Sequence, residues 1–276
     1  MGDKRRLTPE QEKEMQSVIA VQTPEQLHFA FALWTREAIG QLIRRMYNID
    51  LPLKSISNYL KRWGYTAQRP IKRAYEQDPV KVQKWMDEEY PRIQQKAREE
   101  GAEIYWGDET GIQNSAYRDK GFAPKGQTPV LKMQAKREKI SMISAITNRG
   151  KVRFMVYDDA MNAKIMIDFM KRLIKDANRK VYLIVDNLRV HHSKVVKAWL
   201  AEHQEQIEVF YLPSYSPEKN PDEYLNNDLK RNVHSGLVNR TKEDLKKKTR
   251  SFMRRLQRMP QHVASYFRHP QLTYIR

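Results

Sequence analysis

The order of segments predicts an α/β protein, a mixed sheet with helices against its faces, preceded by a small helical subdomain. Three observations carry this. The first seventy residues hold helix-start signals and helical periodicity. From Ala102 onward, short β-branched and aromatic runs alternate with amphipathic stretches in the order β-β-β-α-β-α-β-α. Val181 to Val185 is wholly apolar, as a central strand covered on both faces requires.

Taken in order, Thr8-Pro9-Glu10-Gln11 and Thr23-Pro24-Glu25-Gln26 share one signal: Thr as N-cap, Pro at the first helical position, Gln three after the cap. Each predicts a helix. Thr35 caps a third, with Ala38, Ile39, Leu42, Ile43 and Met46 on one face, and Asp50-Leu51-Pro52 breaks it. A fourth runs from Leu53 to Trp63 and ends at Gly64. Its apolar stripe is Ile56, Tyr59, Leu60 and Trp63, while Lys54, Ser55, Ser57, Asn58, Lys61 and Arg62 fall elsewhere on its surface. Two helices across a short break, the second rich in Ser, Asn, Lys and Arg, fit a helix-turn-helix with those six residues toward DNA; a plain helical hairpin with a solvated face fits as well.

Residues 71–100 read as a helical linker. Asp78-Pro79 starts its charged helix, and Val80, Val82, Trp85, Met86 and Tyr90 supply apolar contacts. Ile104-Tyr105-Trp106 is a strand, Phe122 to Leu131 a turn between short strands, and Ile140 to Thr147 and Val152 to Tyr157 a hairpin closed by Asn148-Arg149-Gly150. Ala163 to Asn178 is an amphipathic helix, Ser193 to His203 another, and Ile207 to Leu212 a strand. Pro221 to Val233 and Thr241 to Met259 are helices, the last basic. The implied domains are residues 1–70, 71–100, 101–240 and a C-terminal extension, 241–276.

Composition narrows the classes. The 276 residues contain no cysteine, which excludes disulfides, thiolate metal sites and cysteine nucleophiles. No apolar run approaches the roughly 18 residues of a membrane span, and Met1-Gly2-Asp3-Lys4-Arg5-Arg6 lacks the apolar stretch of a secretory signal. A cytoplasmic, nucleoid-associated chain is expected. Lys and Arg number 51 against 33 Asp and Glu, a formal +18, the footprint of a polyanion partner. From Leu229 to Arg276, 13 basic residues face Glu243 and Asp244, so +11 lies in the last 48 residues. Lys246, Lys247, Arg254 and Arg255 within it are candidates for salt-dependent phosphate contact.

Three acids stand at element ends. Asp108 follows the first strand, Asp186 follows Val181 to Val185, and Glu223 opens the helix after Leu212-Pro213. Ligands bind beyond the carboxyl ends of strands in such sheets. Three converging carboxylates repel unless cations neutralise them, and such hard oxygen donors select Mg²⁺ or Mn²⁺. Two ions about 4 Å apart activate a water or a 3′-hydroxyl for phosphoryl transfer. An Asp after a strand is also a common turn residue, so the surrounding sequence must decide.

It does so in four blocks: Tyr105-Trp106-Gly107-Asp108-Glu109-Thr110-Gly111; Gly121-Phe122-Ala123-Pro124-Lys125-Gly126-Gln127; Ile184-Val185-Asp186-Asn187 with His191-His192; and Leu212-Pro213-Ser214-Tyr215-Ser216-Pro217-Glu218-Lys219-Asn220-Pro221-Asp222-Glu223. These resemble the bacterial insertion-sequence branch of the mariner superfamily of DDE transposases. The fourth block is the most specific, and the 37 positions from Asp186 to Glu223 match the family's short second interval. The resemblance runs from about Thr8 to Arg240, with residues 36–66 similar to the family's second DNA-binding subdomain. It implies an RNase H-like, five-stranded mixed sheet with Asp108 on the first strand, Asp186 on the fourth and Glu223 on a following helix. It implies two Mg²⁺ or Mn²⁺ ions on these acids, double-stranded DNA at element ends, a TA target and a working homodimer. Family members usually carry another helix-turn-helix unit before the stretch that begins here near Arg5.

Other residues have competing roles. Asn187 shapes the site or forms a turn. His191 and His192, being adjacent, point apart, which argues against joint zinc ligation. Glu109 supports the site or is an exposed charge. Asp222 stands beside Glu223, but the motif spacing favours Glu223 as the third acid. Asp158 and Asp159 are expected to cap a turn. The leading reading is an insertion-sequence transposase; a DNA-binding remnant and a general RNase H-like nuclease are the alternatives.

Overall fold

The computed structural model describes residues 5–68, 70, 74–116, 119 and 121–275. Met1 to Lys4 of the basic start and residues 71–73 of the expected linker lie outside them. The chain forms two compact units, Met1–Lys72 and Arg73–Arg276.

In the first unit, helix α1 is Pro9–Val21. Its capping box is complete: the Gln11 amide donates to Thr8 Oγ1 at 3.3 Å, and the Thr8 amide to Gln11 Oε1 at 2.9 Å. The twin signal at Thr23 makes the same two bonds, at 3.3 and 2.8 Å, yet no helix follows. His28 adopts a left-handed φ of 59° and the Phe29 amide closes on Pro24 O at 2.9 Å, so the helix is terminated within one turn. The reversal sends Leu27 and Phe29 back onto the unit's core. Helix α2 is Arg36–Tyr47, capped by Thr35 and ended by Asn48 in the left-handed region, ahead of the expected breaker. Helix α3 is Leu53–Arg62, and Gly64 takes a φ of +80° just past its end. Leu7, Met15, Ile39, Leu42, Ile43, Ile56 and Tyr59 form the core. Among the described residues this unit has no strand.

The second unit opens with α4, Pro79–Lys84, a π-helical turn Trp85–Glu89, and α5, Tyr90–Glu99. Pro91 explains the π turn. It has no amide to donate and its ring crowds the carbonyl four residues back, and a wider turn relieves both. Val82, Trp85 and Tyr90 are buried as expected, but Val80 is 77% exposed.

Five strands follow: β1 Glu103–Gln113, β2 Lys139–Ile146, β3 Val152–Tyr157, β4 Val181–Val185 and β5 Ile207–Tyr211. Their order is β3-β2-β1-β4-β5. β1, β2 and β3 pair antiparallel, while β4 and β5 lie parallel to β1. Among the described residues, no strand forms between Gln113 and Lys139, so the strands expected around Phe122 to Leu131 are absent. Gly150 closes the β2–β3 hairpin at a φ of +87°, and a Cβ there would meet the Pro260 carbonyl oxygen at 2.2 Å.

Alternate residues send side chains to opposite faces. Tyr105, Ile143, Leu183 and Val185 face α6, Ala163–Ala177, and α7, Lys194–Glu202. Trp106, Met142, Tyr182 and Ile184 face α8, Asp222–Val233, and α9, Lys242–Gln257. The same core takes in Val263 of α10, Pro260–Tyr266, and Leu272 and Ile275 of the short 3₁₀ segment Pro270–Ile275. The described part of the stretch expected as an extension, residues 241–275, therefore supplies one side of the second unit's core. Its apolar residues recur at helical spacing and have the sheet to cover.

Candidate active site

Strand lengths place the first two acids. Trp106 of β1 pairs with Ile184 of β4, and two residues further on stand Asp108 and Asp186. β4 stops at Val185, whereas β1 continues to Gln113 paired with β2 alone. Asp108 thus lies inside β1 rather than after it, at the level where its parallel neighbour has ended. Gly107 allows the tight packing there, since a Cβ would come within 3.1 Å of Ser144 O.

Alternation turns Asp108 toward α8 and Glu109 to the other face. Asn226 of α8 donates from Nδ2 to Asp108 Oδ2 at 2.8 Å. Glu223, in the first turn of α8, benefits as an anion from the positive end of the helix dipole. A buried polar network fixes that helix start. Asn220 Nδ2 donates to Gly107 O at 2.9 Å, its Oδ1 accepts from the Asp222 amide at 3.0 Å, and Ser144 Oγ donates to Asp222 Oδ2 at 2.6 Å. Asp222 is fully buried and held well above the usual carboxylate range, first by burial and then by the charge of Asp108. The C-terminal segment braces the same loop: Tyr274 Oη donates to Lys219 O at 2.6 Å, and Lys219 Nζ to Gln271 O at 3.3 Å.

On the other face His191, 2% exposed, lies between acceptors. Its Nδ1 is 3.0 Å from Asp186 O and its Nε2 3.0 Å from Glu109 Oε1. Burial works to lower the pKa of His191, but the hydrogen bonds to Glu109 and to the Asp186 backbone outweigh it and leave it raised. His192 diverges, its ring tilted against that of Tyr211 at 4.1 Å between centroids and meeting Asn187 Oδ1, so the two histidines do not share a ligand. Asn187 Nδ2 donates to Ser214 Oγ at 3.1 Å.

Asp108, Asp186 and Glu223 line one cavity of about 880 Å³, with Arg189 and the exposed Tyr215 at its wall. Tyr215 holds a left-handed φ of 59°, backbone strain of the sort that collects at functional sites. Asp108 is pushed up to about 8, by burial and then by the charges of Glu223 and Asp186. Asp186 is raised too, chiefly by burial. Among the described residues, no three His, Cys, Asp or Glu side chains are drawn together as a closed metal-binding group. The donor chemistry nevertheless fits a hard divalent cation: carboxylates lining one cavity, with the anionic forms of Asp108 and Asp186 disfavoured by burial and by neighbouring negative charge.

The surface candidates divide. Lys54, Asn58 and Lys61 are exposed on α3, and Ser55 and Ser57 are half-buried. Ser57 Oγ donates back along the helix to Leu53 O at 3.0 Å. Arg62 lies over the Tyr59 ring at 4.7 Å and 3.6 Å from Glu12, so its charge is partly engaged inside the unit. Lys246 pairs with Asp158 at 2.9 Å and Glu243 at 3.1 Å, which makes Asp158 an ion-pair partner rather than the expected turn cap. Arg255 covers the Phe252 ring at 5.4 Å, while Lys247 and Arg254 are exposed. Sequence reasoning missed Ser144, Asn220 and Asn226. Two of them carried a signal, Asn220 by standing in the fourth block and Asn226 by lying one helical turn beyond Glu223.

Residues 103–246, just over half of the 276, match the family described as DDE superfamily endonuclease, and residues 30–89 match one described as winged helix-turn helix. The chain belongs to the DDE superfamily of endonucleases. It is similar to the insertion element IS630 uncharacterized 39 kDa protein of Shigella sonnei, 25% identical over 243 residues that cover 86% of this chain and 69% of that protein. Among solved structures it resembles the Mos1 mariner paired end complex with Mn, at a TM-score of 0.65 and 15% identity over 99% of this chain and 80% of that one. It also resembles the Mos1 strand transfer complex, at 0.61 and 17% over 98% and 80%. The fold is thus the RNase H-like mixed sheet that the sequence led one to expect.

Proposed function

We propose that the chain is a transposase of the IS630 and mariner type, which cleaves DNA at the ends of an insertion sequence and joins the freed 3′-hydroxyl to target DNA. The convergence of Asp108, Asp186 and Glu223 on one cavity carries this reading. These three acids would hold Mg²⁺ or Mn²⁺, two ions in the full site. When bound, the ions supply Lewis acidity toward the scissile phosphate and lower the pKa of the attacking hydroxyl. Solved complexes of the mariner protein contain Mn or Mg, which supports a divalent metal here.

The chain's own residues set the geometry. Asn226 orients the Asp108 carboxylate, and the Asn220, Asp222 and Ser144 network fixes the helix that presents Glu223. His191 anchors the main chain at Asp186 and balances Glu109. Arg189 offers a cation to the DNA phosphate and Tyr215 a flat face to a base. Residues 1–70 would bind the element ends through Lys54, Ser55, Ser57, Asn58, Lys61 and Arg62 of α3, and residues 101–240 would carry the chemistry. A homodimer bridging two ends and a TA target complete the proposal.

The test is nicking of a supercoiled plasmid in Mg²⁺ or Mn²⁺ by the purified chain, with Asp186→Asn beside it. Cleavage by the parent that disappears in the variant is expected. Equal cleavage by both would remove Asp186 from the site.

A further inference from the structure

The fold separates two sets among the cations of α9 and its C-cap residue Arg258. Lys242 and Lys246 turn toward the sheet, where both pair with Asp158, at 3.1 and 2.9 Å, and Lys246 also holds Glu243. Lys247, Arg250, Arg254 and Arg258 are exposed. At 3.6 residues per turn these four fall within about an 80° sector of the helix and run about 16 Å along it. Leu245, Thr249, Phe252, Met253 and Leu256 are buried, and they occupy the opposite sector. With Glu243 and Ser251, the four cations line a shallow groove of about 420 Å³ that shares no residue with the catalytic cavity. Among the described residues, none of the four is ion-paired to a carboxylate within 4.0 Å, and Glu243, the acid of the groove, is held by Lys246.

From this we infer that the outer face of α9 is a second DNA-binding surface, separate from α3, which takes the sugar-phosphate backbone of a duplex without reading its sequence. The inference rests on the reading of the chain as an enzyme acting on DNA. One strand of B-DNA carries a phosphate about every 3.4 Å along the axis, so a stripe of about 16 Å spans about five phosphates. A line of point charges and guanidinium forks on a rigid helix suits that target, since phosphate contacts fix position and carry no base information. The groove offers no aromatic side chain on which a base would stack, which favours a duplex over a single strand. The surface therefore fits duplex DNA whatever the sequence around the point of joining.

The measurement is fluorescence anisotropy of the full chain on a labelled duplex of unrelated sequence, in EDTA, across a salt series. The variant carrying K247Q, R250Q, R254Q and R258Q should show a log–log salt slope shallower by about 3 to 4, and weaker binding at low salt. Lys246→Gln, whose charge is already engaged by Asp158, should leave the slope unchanged. Circular dichroism checks that each variant is folded, and the R254Q/R258Q pair replaces the quadruple variant if that does not fold, with half the effect expected. A folded stripe variant with the parental slope, or a Lys246→Gln slope lowered as much as the stripe's, overturns the inference. Because this assay contains no metal, its result is independent of plasmid nicking: a chain that does not nick can still lose its salt slope with the stripe.

Discussion

Asp108 is the residue at which burial and function conflict most plainly. Its pKa is raised from 3.8 to about 8, so the folded chain binds its proton more tightly than the unfolded chain does. That contribution to stability is complete below about 4 and is lost as the pH rises through about 8. Asp108→Asn removes the conflict. Without divalent cations at pH 8, the variant should melt at least about 2–4 °C above the parent, the shift that 1 kcal/mol produces in a domain of this size. Identical melting curves would mean that the Asp108 anion carries no strain. Asn226 acts on the same carboxylate from α8. If Asp108 holds metal as proposed, Asn226→Ala should weaken activity or Mn²⁺ half-saturation by about 10–100-fold, as loss of a group supporting a metal ligand does; unchanged metal dependence would reduce Asn226 to packing. The acids themselves were legible because the chain encodes them in contiguous strings. Their supports were not, since the bond of Asn226 to Asp108 joins positions 118 apart and that of Ser144 to Asp222 positions 78 apart.

At the scale of elements, apolar runs were read well and polar strands poorly. Val152–Tyr157 and Val181–Val185 stand where the pattern placed them. β1 runs on through Gly107-Asp108-Glu109-Thr110-Gly111, of which all but Thr110 have little strand propensity, because pairing with β2 overrides local preference. The Thr23 signal failed the other way: a correct cap was made and the chain was turned aside by His28. Caps matter where a helix does propagate, so Thr35→Ala should cost about 1 kcal/mol in the first unit's stability by denaturant titration. Gly150→Ala should cost more, at least about 2 kcal/mol, from left-handed strain together with the clash on Pro260. A variant as stable as the parent would mean that the hairpin and α10 separate at little cost.

For the whole molecule, the boundary expected at Arg240 is the one the structure most clearly revises. Leu245, Phe252, Leu256, Val263 and Leu272 belong to the core that covers Trp106, Met142 and Ile184. A fragment of residues 74–240 should therefore fail to unfold cooperatively in calorimetry, whereas one of residues 74–275 should do so. A cooperative transition in the shorter fragment would restore the view of 241–276 as an appendage. The net charge of +18 was visible from the first and indicated a polyanion. It did not show that Lys242 and Lys246 of α9 are engaged within the fold, because that depends on which cations reach Asp158.

The brace from Gln271 and Tyr274 to Lys219 has a consequence for biosynthesis. Translation adds about 5–20 residues per second from the N-terminal side, and the three acids are all made by residue 223. The loop leading into the helix of the third is held early by Gly107 and Ser144, but it gains its ties at Lys219 when residues 270–275 have emerged from the ribosome. Under the proposed function, a nascent or interrupted chain would carry all three acids in its sequence without this last brace, and cleavage would wait until synthesis had passed it.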